Sequence, residues 1–524
     1  MKKIYSILIA CSCLAILFSS CLDDLNTEPL SSNVLLPERA WEDPNSYEQF
    51  VAKIYAGFAL SGNEGPAGQP DIAADDQGEA TFIRTYWNLQ QLCTDEVIGA
   101  WDNETLRSLQ FCQWNSSNHF ISLNYTRMYM NIAYANEFMR QTTDERLNQR
   151  NVDPELRSKI HTFRAEIRAL RALNYYFLMD LYSNIPYIDE AAGVTTNFPE
   201  QKDRAFFFSW IESELKDIED ELPTNNGMAT YGKLTKPVAW MILSKLYLNA
   251  EVYIGVKKYT ECLTYLNKIL SAGYTLDPTY KNMFGADNHN SSEIIFPIVF
   301  DGLKATTYGG TTFLLAASYK SDMDPSANFG FTQAWSGIRA RETLSVLFDN
   351  NDARALFWKE NRTLETSTWY DFAKGWSVIK YTNMNSDGTP GSNSVFSDTD
   401  FPMYRLADVY LMYAEAVLRG GQGGTRDQAR TYVNDLRERA KISKVSDTQF
   451  NLLFILDERS RELYWEGHRR TDLIRFDRFT RNYSWPWKNG VFSGVPNIDD
   501  KFKLYPLPVS ELTANPNLTQ NKGF

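Results

Sequence analysis

The chain has 524 residues, of which 43% are hydrophobic, and this is enough for a sizeable packed core. Its formal net charge is −12, and a diffuse acidic balance argues against binding to nucleic acid, which needs clustered Lys and Arg. Only four His occur, and no two of them have the spacing of HExxH or HxH. The sequence therefore predicts no His-based zinc site.

The N-terminus has the features of a lipoprotein signal. After two Lys, residues 4–18 form an apolar run that is too short to span a bilayer comfortably, and two Ser precede Cys21. We expect residues 1–20 to be a signal peptide, Cys21 to carry the lipid, and residues 21–33 to be a flexible tether. Ordinary secretion with a free Cys21 is the alternative.

Helix-period apolar patterns recur along the chain and predict a mainly α-helical fold. The predicted helices cover 155–182, 207–222, a segment that starts at Pro237, a segment from Tyr259 that stops before Gly273, 402–419, 425–440 and 454–467. The pair between Pro237 and Tyr274 resembles a tetratricopeptide-type hairpin. We therefore expect a helical-repeat scaffold with long ordered loops and a few short β-strands.

Two stretches break the helical pattern. Residues 60–126 are rich in Gly, Asp, Asn, Trp and Tyr, and residues 274–400 contain short β-like runs such as Ile294 to Phe300. Long ordered loops on a compact domain are usually functional. Asp287 to Asn290 leave open a loop-bound structural Ca²⁺, although solvated turn residues are the better interpretation.

Few other residues indicate a disulfide or a ligand site. The three cysteines after the signal do not suggest a disulfide framework, and whether Cys93 and Cys112 pair stays open. A C-terminal segment interleaves Arg with acidic residues, which favours an ion-pair lattice on a helix surface over an anion site. Its members are Arg459, Arg461, Arg469, Arg470 and Arg475 with Asp457, Glu458, Glu462, Glu466 and Asp472.

Several phrases in the sequence resemble the RagB/SusD family. They are FPMYRLADVYLMYAEA at 401–416, VNDLRERA at 433–440, DERSRELYWEGHRRTDLIRF at 457–476, YPLPVSEL at 505–512 and AEIRALRALNYY at 165–176. The resemblance runs from the signal to the last residues. It implies a single SusD-like domain at 34–524, on a lipoprotein exposed at the cell outer membrane.

The resemblance also implies a function. A family member of this kind binds glycan at the cell surface and delivers it to a SusC-like TonB-dependent transporter, with no catalytic residue and no cofactor. Two loop segments, 65–72 and 76–84, are similar to those of the family's starch-binding member. By motif match, an arc of Trp101, Tyr308 and Trp335 is expected to hold a helical malto-oligosaccharide.

Two polar residues flank the expected arc by the same match, Arg84 and Asn103. Aromatic rings suit glucose because each sugar ring has an apolar C–H face, which stacks on the aromatic face and leaves the hydroxyls in water. Each residue also has a structural alternative: Tyr308 packs a turn before two Gly, and Arg84 pairs with Asp76 or Glu79. Another polysaccharide on the same scaffold, a glycoside hydrolase and a protein-interaction scaffold are the alternative functions.

Overall fold

The computed structural model describes residues 40–192 and 198–524. The chain divides into two compact units, residues 1–49 and 50–524. In the first unit Trp41 and Tyr47 are buried, with ring centroids 5.4 Å apart. The predicted signal peptide, the predicted lipidation site Cys21 and the predicted tether lie outside the described residues, and the domain limits stay predictions.

Helices form most of the regular structure. The α-helices are α1 (Asn45–Ala59), α2 (Phe82–Trp87), α3 (Glu104–Gln110), α4 (His119–Gln141), α5 (Asp144–Gln149), α6 (Pro154–Tyr182), α7 (Arg204–Asp217), α8 (Lys236–Leu248), α9 (Ala250–Ile254), α10 (Tyr259–Leu270), α11 (Gly310–Ser318), α12 (Pro325–Phe329), α13 (Glu342–Ser345), α14 (Leu406–Leu418), α15 (Arg426–Arg439), α16 (Leu452–Leu463), α17 (Arg469–Arg475) and α18 (Val509–Ala514). Short 3-10 turns and one π turn at Asn88–Leu92 join some of them.

The strands are short and pair only in twos within the described residues. They are β1 (Val97–Gly99), β2 (Ile185–Pro186), β3 (Gln201–Lys202), β4 (Ile294–Ile298), β5 (Ile338–Ala340), β6 (Phe357–Trp358), β7 (Ser377–Val378) and β8 (Phe401–Arg405). The antiparallel pairs are β1 with β5, β2 with β3, β4 with β8, and β6 with β7. The predicted mainly α fold with a few short strands is confirmed.

The long helix α6 shows why the sequence predicts its ends well. Pro154 occupies the first turn, where its missing N–H is not needed, and Asp153 Oδ1 accepts hydrogen bonds of 3.0 Å from the amides of Glu155 and Leu156. At the other end Ser183 takes a positive φ of 67°, so the chain leaves the helix after Tyr182.

The helices pack as neighbouring hairpins, as expected of a tetratricopeptide-like scaffold. α8 packs on α10, and α14 packs on α15. In α10 the apolar residues Cys262, Leu263, Leu266 and Ile269 are fully buried, because helical spacing places them on one face.

Two sequence predictions of secondary structure need correction. The segment predicted as a helix at 402–419 begins as strand β8 and becomes helical only at Leu406. Its first residues are extended because they pair with β4. The predicted loops at 60–126 contain α2, α3 and the start of α4, and those at 274–400 contain α11, α12 and α13. Their helices are short, or begin inside a Gly-, Asn- and Asp-rich stretch, so the apolar period is hard to detect there.

The C-terminal ion-pair lattice is buried and does not lie on a helix surface. Arg459, Arg469, Arg470 and Arg475 are all less than one tenth exposed. Arg459 bridges Asp408 and Asp472 at 2.8 Å each. The prediction of ion pairing is therefore confirmed, but its surface location is wrong: the facing helices supply carboxylates that the local sequence does not reveal.

The cysteines at 93, 112 and 262 are free and buried. Cys112 Sγ lies 3.4 Å from the carbonyl oxygen of Cys93, so these two residues are neighbours without a disulfide. In the described ranges, no helix has the length and apolar character needed to cross a membrane.

Candidate functional site

Strand pairing brings together two of the three predicted aromatic residues. β1 and β5 pair so that Gly99 lies opposite Ile338, and the Ala100 amide donates to the Gly337 carbonyl at 2.6 Å. Trp101 follows β1 and Trp335 precedes β5, so both rings lie at one end of this strand pair. The Trp101 indole N–H donates to the Trp335 carbonyl at 3.2 Å.

Tyr308 reaches the same place from the loop before α11. Its ring centroid lies 6.5 Å from that of Trp335, and the two planes are tilted by 41°. The close packing of Gly309 sets the position of Tyr308, because a Cβ on Gly309 would lie 2.0 Å from Thr81 Oγ1. All three rings are half-buried, which leaves part of each accessible to a ligand.

Two of the three rings each contact a second aromatic side chain. Phe396 lies 5.1 Å from Tyr308, and Phe313 lies 6.3 Å from Trp101, measured between ring centroids. Phe313 belongs to α11 and is buried. Trp101 therefore packs on the buried side chain of α11, and Tyr308 packs on half-buried Phe396.

The five residues predicted to bind glycan line one surface cavity of about 530 Å³. Its lining consists of Asp75, Asp76, Gln77, Glu79, Arg84, Trp101, Asn103, Leu106, Tyr308, Gln333 and Trp335. The structure thus brings the predicted set together, while the binding role of each residue stays a prediction.

Arg84 is held at the back of the cavity. Its side chain is 7% exposed, and both terminal nitrogens lie 3.2 Å from Asp76 Oδ2. The guanidinium also lies over the Phe313 ring at 5.1 Å. Burial lowers the pKa of Arg84, while Asp76 and Glu79 oppose this shift, and the group keeps its charge at neutral pH. The pairing with Asp76 that the sequence offered as an alternative is present.

Asn103 has a structural task as well as a place in the cavity. Its Oδ1 accepts from the amides of Thr105 at 2.9 Å and Leu106 at 3.4 Å, which caps α3. The Nδ2 amide is therefore the group that remains for a ligand.

Sequence reasoning missed several residues of the lining. Gln333 accepts a hydrogen bond from the Trp335 indole at 3.3 Å and orients that ring, but nothing in its local sequence distinguishes it from a surface Gln. Asp75, Gln77 and Leu106 were also not predicted. Only their position in the sequence could have indicated them, because they lie within three residues of the motif residues Asp76, Glu79 and Asn103.

The loop considered for Ca²⁺ uses its polar groups internally. Asp287 accepts from the amide of Ser386 at 2.9 Å and from its hydroxyl at 2.5 Å. Asn288 donates to the carbonyls of Met283 and Asp400, each at 2.9 Å. These bonds give Asp287 and Asn288 a structural role in the loop.

The fold and the cavity together define a class: a helical-repeat scaffold whose loops form an aromatic-lined surface site. Comparison with known proteins identifies the family. A family model described as "SusD family" matches residues 320–524, and one described as "Starch-binding associating with outer membrane" matches residues 37–248. The starch-binding protein SusD of Bacteroides thetaiotaomicron is 32% identical over 97% of this chain and 96% of its own. The chain belongs to the SusD family.

More distant relatives agree with this assignment. SusD-like protein P2 of Formosa agariphila is 26% identical over 70% of this chain and 74% of its own. Among solved structures, surface glycan-binding protein A from B. thetaiotaomicron, in complex with laminarihexaose, has a TM-score of 0.68 at 19% identity and covers 91% of this chain and 98% of its own. A SusD superfamily protein from Parabacteroides distasonis has a TM-score of 0.69 at 18% identity, with coverage of 92% and 99%. These two structures share the fold.

Proposed function

We propose that this protein captures α-1,4-glucan at the cell surface and delivers it to a SusC-like TonB-dependent transporter of the outer membrane. The observation that carries the proposal is the group of three half-buried rings in one cavity, with Tyr308 and Trp335 tilted by 41°. A flat row of rings suits a straight chain, whereas tilted rings follow a curved one. Maltodextrins coil, so the geometry favours an α-1,4-linked glucan.

Family membership adds support on substrate and location. The relative with 32% identity is a starch-binding protein, and a matching family model is described as associating with the outer membrane. Lipidation of Cys21 would anchor the chain there. No cofactor is proposed for glycan binding, because stacking and hydrogen bonds from Arg84 and Asn103 are sufficient.

Calorimetry with a glycan panel tests the substrate class. We expect saturable heat with maltoheptaose and β-cyclodextrin, and none with cellohexaose, because its β-linked chain is straight. Binding to laminarihexaose instead would assign another polysaccharide to the same scaffold. If no glycan in the panel gives heat, the proposal fails.

Substitution of the rings tests the site. Each of Trp101→Ala, Tyr308→Ala and Trp335→Ala should weaken maltoheptaose binding by about tenfold, since an aromatic contact contributes about 0.5–1.5 kcal/mol beyond its buried area. Tyr370→Ala is the matched control, because Tyr370 is 64% exposed and lies outside the cavity. Equal binding by all four variants would exclude this cavity as the site.

The cavity also contains carboxylates, so hydrolysis is the second candidate. Glycosidases use two carboxyl groups across the scissile bond. Here Asp76 is engaged by Arg84, and Glu79 lies beside His119, so neither is set apart as an acid and a nucleophile. We expect the purified protein to release no reducing sugar from amylose, and release of reducing sugar would establish an enzyme.

The transporter partner needs a separate test. The protein, extracted from outer membranes in mild detergent, should copurify with a TonB-dependent transporter. Recovery of the protein without any transporter would contradict the delivery step and leave glycan capture untouched.

A further inference from the structure

Three side chains with metal-binding donors lie together at the Arg84 end of the cavity. They are Asp75, Glu79 and His119, and one donor atom from each lies within 4.8 Å of the others. Across residues 40–192 and 198–524, no other group of three His, Cys, Asp or Glu residues has this spacing. The sequence did not suggest the group, because a search for paired histidines misses a site with one imidazole and two carboxylates.

Two fixed segments bring these donors together. Asp75 and Glu79 belong to a tight turn, in which the Asp75 amide donates to Glu79 Oε2 at 3.2 Å and the Glu79 amide donates to the Asp76 carbonyl at 3.2 Å. Gly78 in this turn packs on the backbone of Tyr308 and Gly309, where a Cβ would lie 2.2 Å from the Gly309 nitrogen. The turn is therefore held by the wall of the cavity.

His119 is placed by the start of α4. Its neighbour Asn118 caps α4 and also donates to the Thr105 carbonyl and to Ser108 Oγ, each at 2.9 Å. Both acceptors belong to α3, so the start of α4, which carries His119, is fixed relative to the helix that lines the cavity. The metal donors are thus preorganised by the scaffold.

The distance between His119 and Glu79 is compatible with a shared ion. His119 Nε2 lies 3.6 Å from Glu79 Oε2, which is too long for a good hydrogen bond. This nitrogen is enclosed, and no described residue lies within normal hydrogen-bond distance of it, although the nearby Glu79 carboxylate raises the pKa of His119. Zinc bonds of about 2.0–2.2 Å place tetrahedral ligand atoms about 3.4 Å apart, close to the 3.6 Å between His119 Nε2 and Glu79 Oε2, and Asp75 lies within 4.8 Å of both.

A simple ion pair between His119 and Glu79 is the competing interpretation. A charged N–H···O pair closes to about 2.7–2.9 Å, shorter than the distance found here. The Asp75 carboxylate lies in the same group, and an ion pair does not require it. A divalent cation uses all three donors, and an imidazole with carboxylates suits Zn²⁺ better than Ca²⁺, which takes oxygen ligands.

We propose that Asp75, Glu79 and His119 bind one Zn²⁺, with a water completing the tetrahedron. The ion fixes the turn that carries Asp76, the partner of Arg84. The site departs from the sequence expectation of no metal, and it stands independently of the proposed glycan function.

Zinc titration of the EDTA-treated protein by calorimetry tests the proposal. We expect one Zn²⁺ per chain. His119→Ala and Glu79→Gln should each weaken zinc binding by at least about tenfold, the lower limit found when even an outer partner of a metal ligand is removed. His161→Ala is the matched control: His161 Nε2 also lies near a carboxylate, 3.9 Å from Asp144, but outside any three-donor group of the described residues.

The proposal is overturned if the wild-type protein shows no saturable zinc binding, or if His119→Ala binds zinc as the wild type does. Should a variant fail to fold, anomalous diffraction at the zinc edge from a soaked wild-type crystal decides the matter. A peak at about 2.0–2.2 Å from the three donor atoms supports the site. A peak elsewhere, or none, contradicts it.

Discussion

At the scale of single residues, the cavity combines side chains that have a structural duty with side chains that are free to meet a ligand. Arg84 and Asn103 each use some of their groups in the fold, through Asp76 and through the α3 cap. Two of the three rings pack on a second aromatic side chain, Trp101 on buried Phe313 and Tyr308 on half-buried Phe396. Sequence motifs can identify such residues, but they do not show which hydrogen-bonding groups serve the fold and which are left for a ligand.

Asn103 offers a way to separate its two roles. Asn103→Asp keeps the oxygen that caps α3 and removes the Nδ2 amide, whereas Asn103→Ala removes both. If the amide donates to glycan, both variants should weaken maltoheptaose binding. Only Asn103→Ala should also lower the free energy of unfolding, by about 1 kcal/mol, the usual value of such a cap.

Calorimetry and urea unfolding of the two variants provide the comparison. Wild-type affinity in Asn103→Asp would show that Asn103 acts on the site only through the helix. Equal stability of all three proteins would show that the cap contributes little.

At the scale of elements, the site depends on pairs that are distant in sequence. The pairing of β1 with β5 joins Val97 to Ala340 and so brings Trp101 to Trp335. A three-residue strand gives almost no periodic signal, and no local rule selects its partner. Several helices of the scaffold, such as α6, α10 and α15, could be predicted because each shows its own apolar period. The helices α1 and α4 and the strand contacts that assemble the cavity were not predicted.

Gly337 shows how closely these elements approach. A Cβ at this position would lie 2.1 Å from Cζ2 of the Trp101 indole. We expect Gly337→Ala to displace the ring and to weaken maltoheptaose binding by about two- to tenfold, the value of one aromatic contact. Overpacking should also lower the free energy of unfolding by about 1–3 kcal/mol.

Gly99→Ala is the matched control in the same strand pair. A Cβ at Gly99 would meet no atom of the described residues closer than 3.4 Å, which is ordinary van der Waals contact. Both variants are compared by calorimetry and urea unfolding. If Gly337→Ala binds glycan as tightly as Gly99→Ala does, the position of the Trp101 ring is not set by this contact.

At the scale of the whole molecule, buried ion pairs join segments from several parts of the chain. Arg405 at the end of β8 lies 2.9 Å from Glu293, 2.7 Å from Glu462 and 2.7 Å from Glu466. All four side chains are at most 1% exposed. The sequence at 457–475, which contains Glu462 and Glu466, indicates a solvated helix face, because alternating charges on a helix are usually exposed. Burial becomes visible only when the facing segments are assembled.

Removing the central cation should destabilise the fold strongly. Arg405→Met removes the one cation that Glu293, Glu462 and Glu466 share, and breaking a buried pair costs about 3–5 kcal/mol. The carboxylates keep contacts to Arg439, Arg354 and Lys380, so we expect a loss toward the lower end of this range. Urea unfolding measures the change. Lys159→Met is the control, because its pair with Glu155 is 62% and 84% exposed and should contribute less than about 1 kcal/mol. A similar small loss in both variants would show that the buried network is not a main source of stability.

The crystal structure of the protein with maltoheptaose tests the central claim most directly. The account predicts a curved oligosaccharide whose sugar faces lie within about 4.0–4.5 Å of Trp101, Tyr308 and Trp335, with hydroxyls near Arg84 and Asn103. A sugar chain bound elsewhere on the surface, with the three rings uncovered, would contradict it.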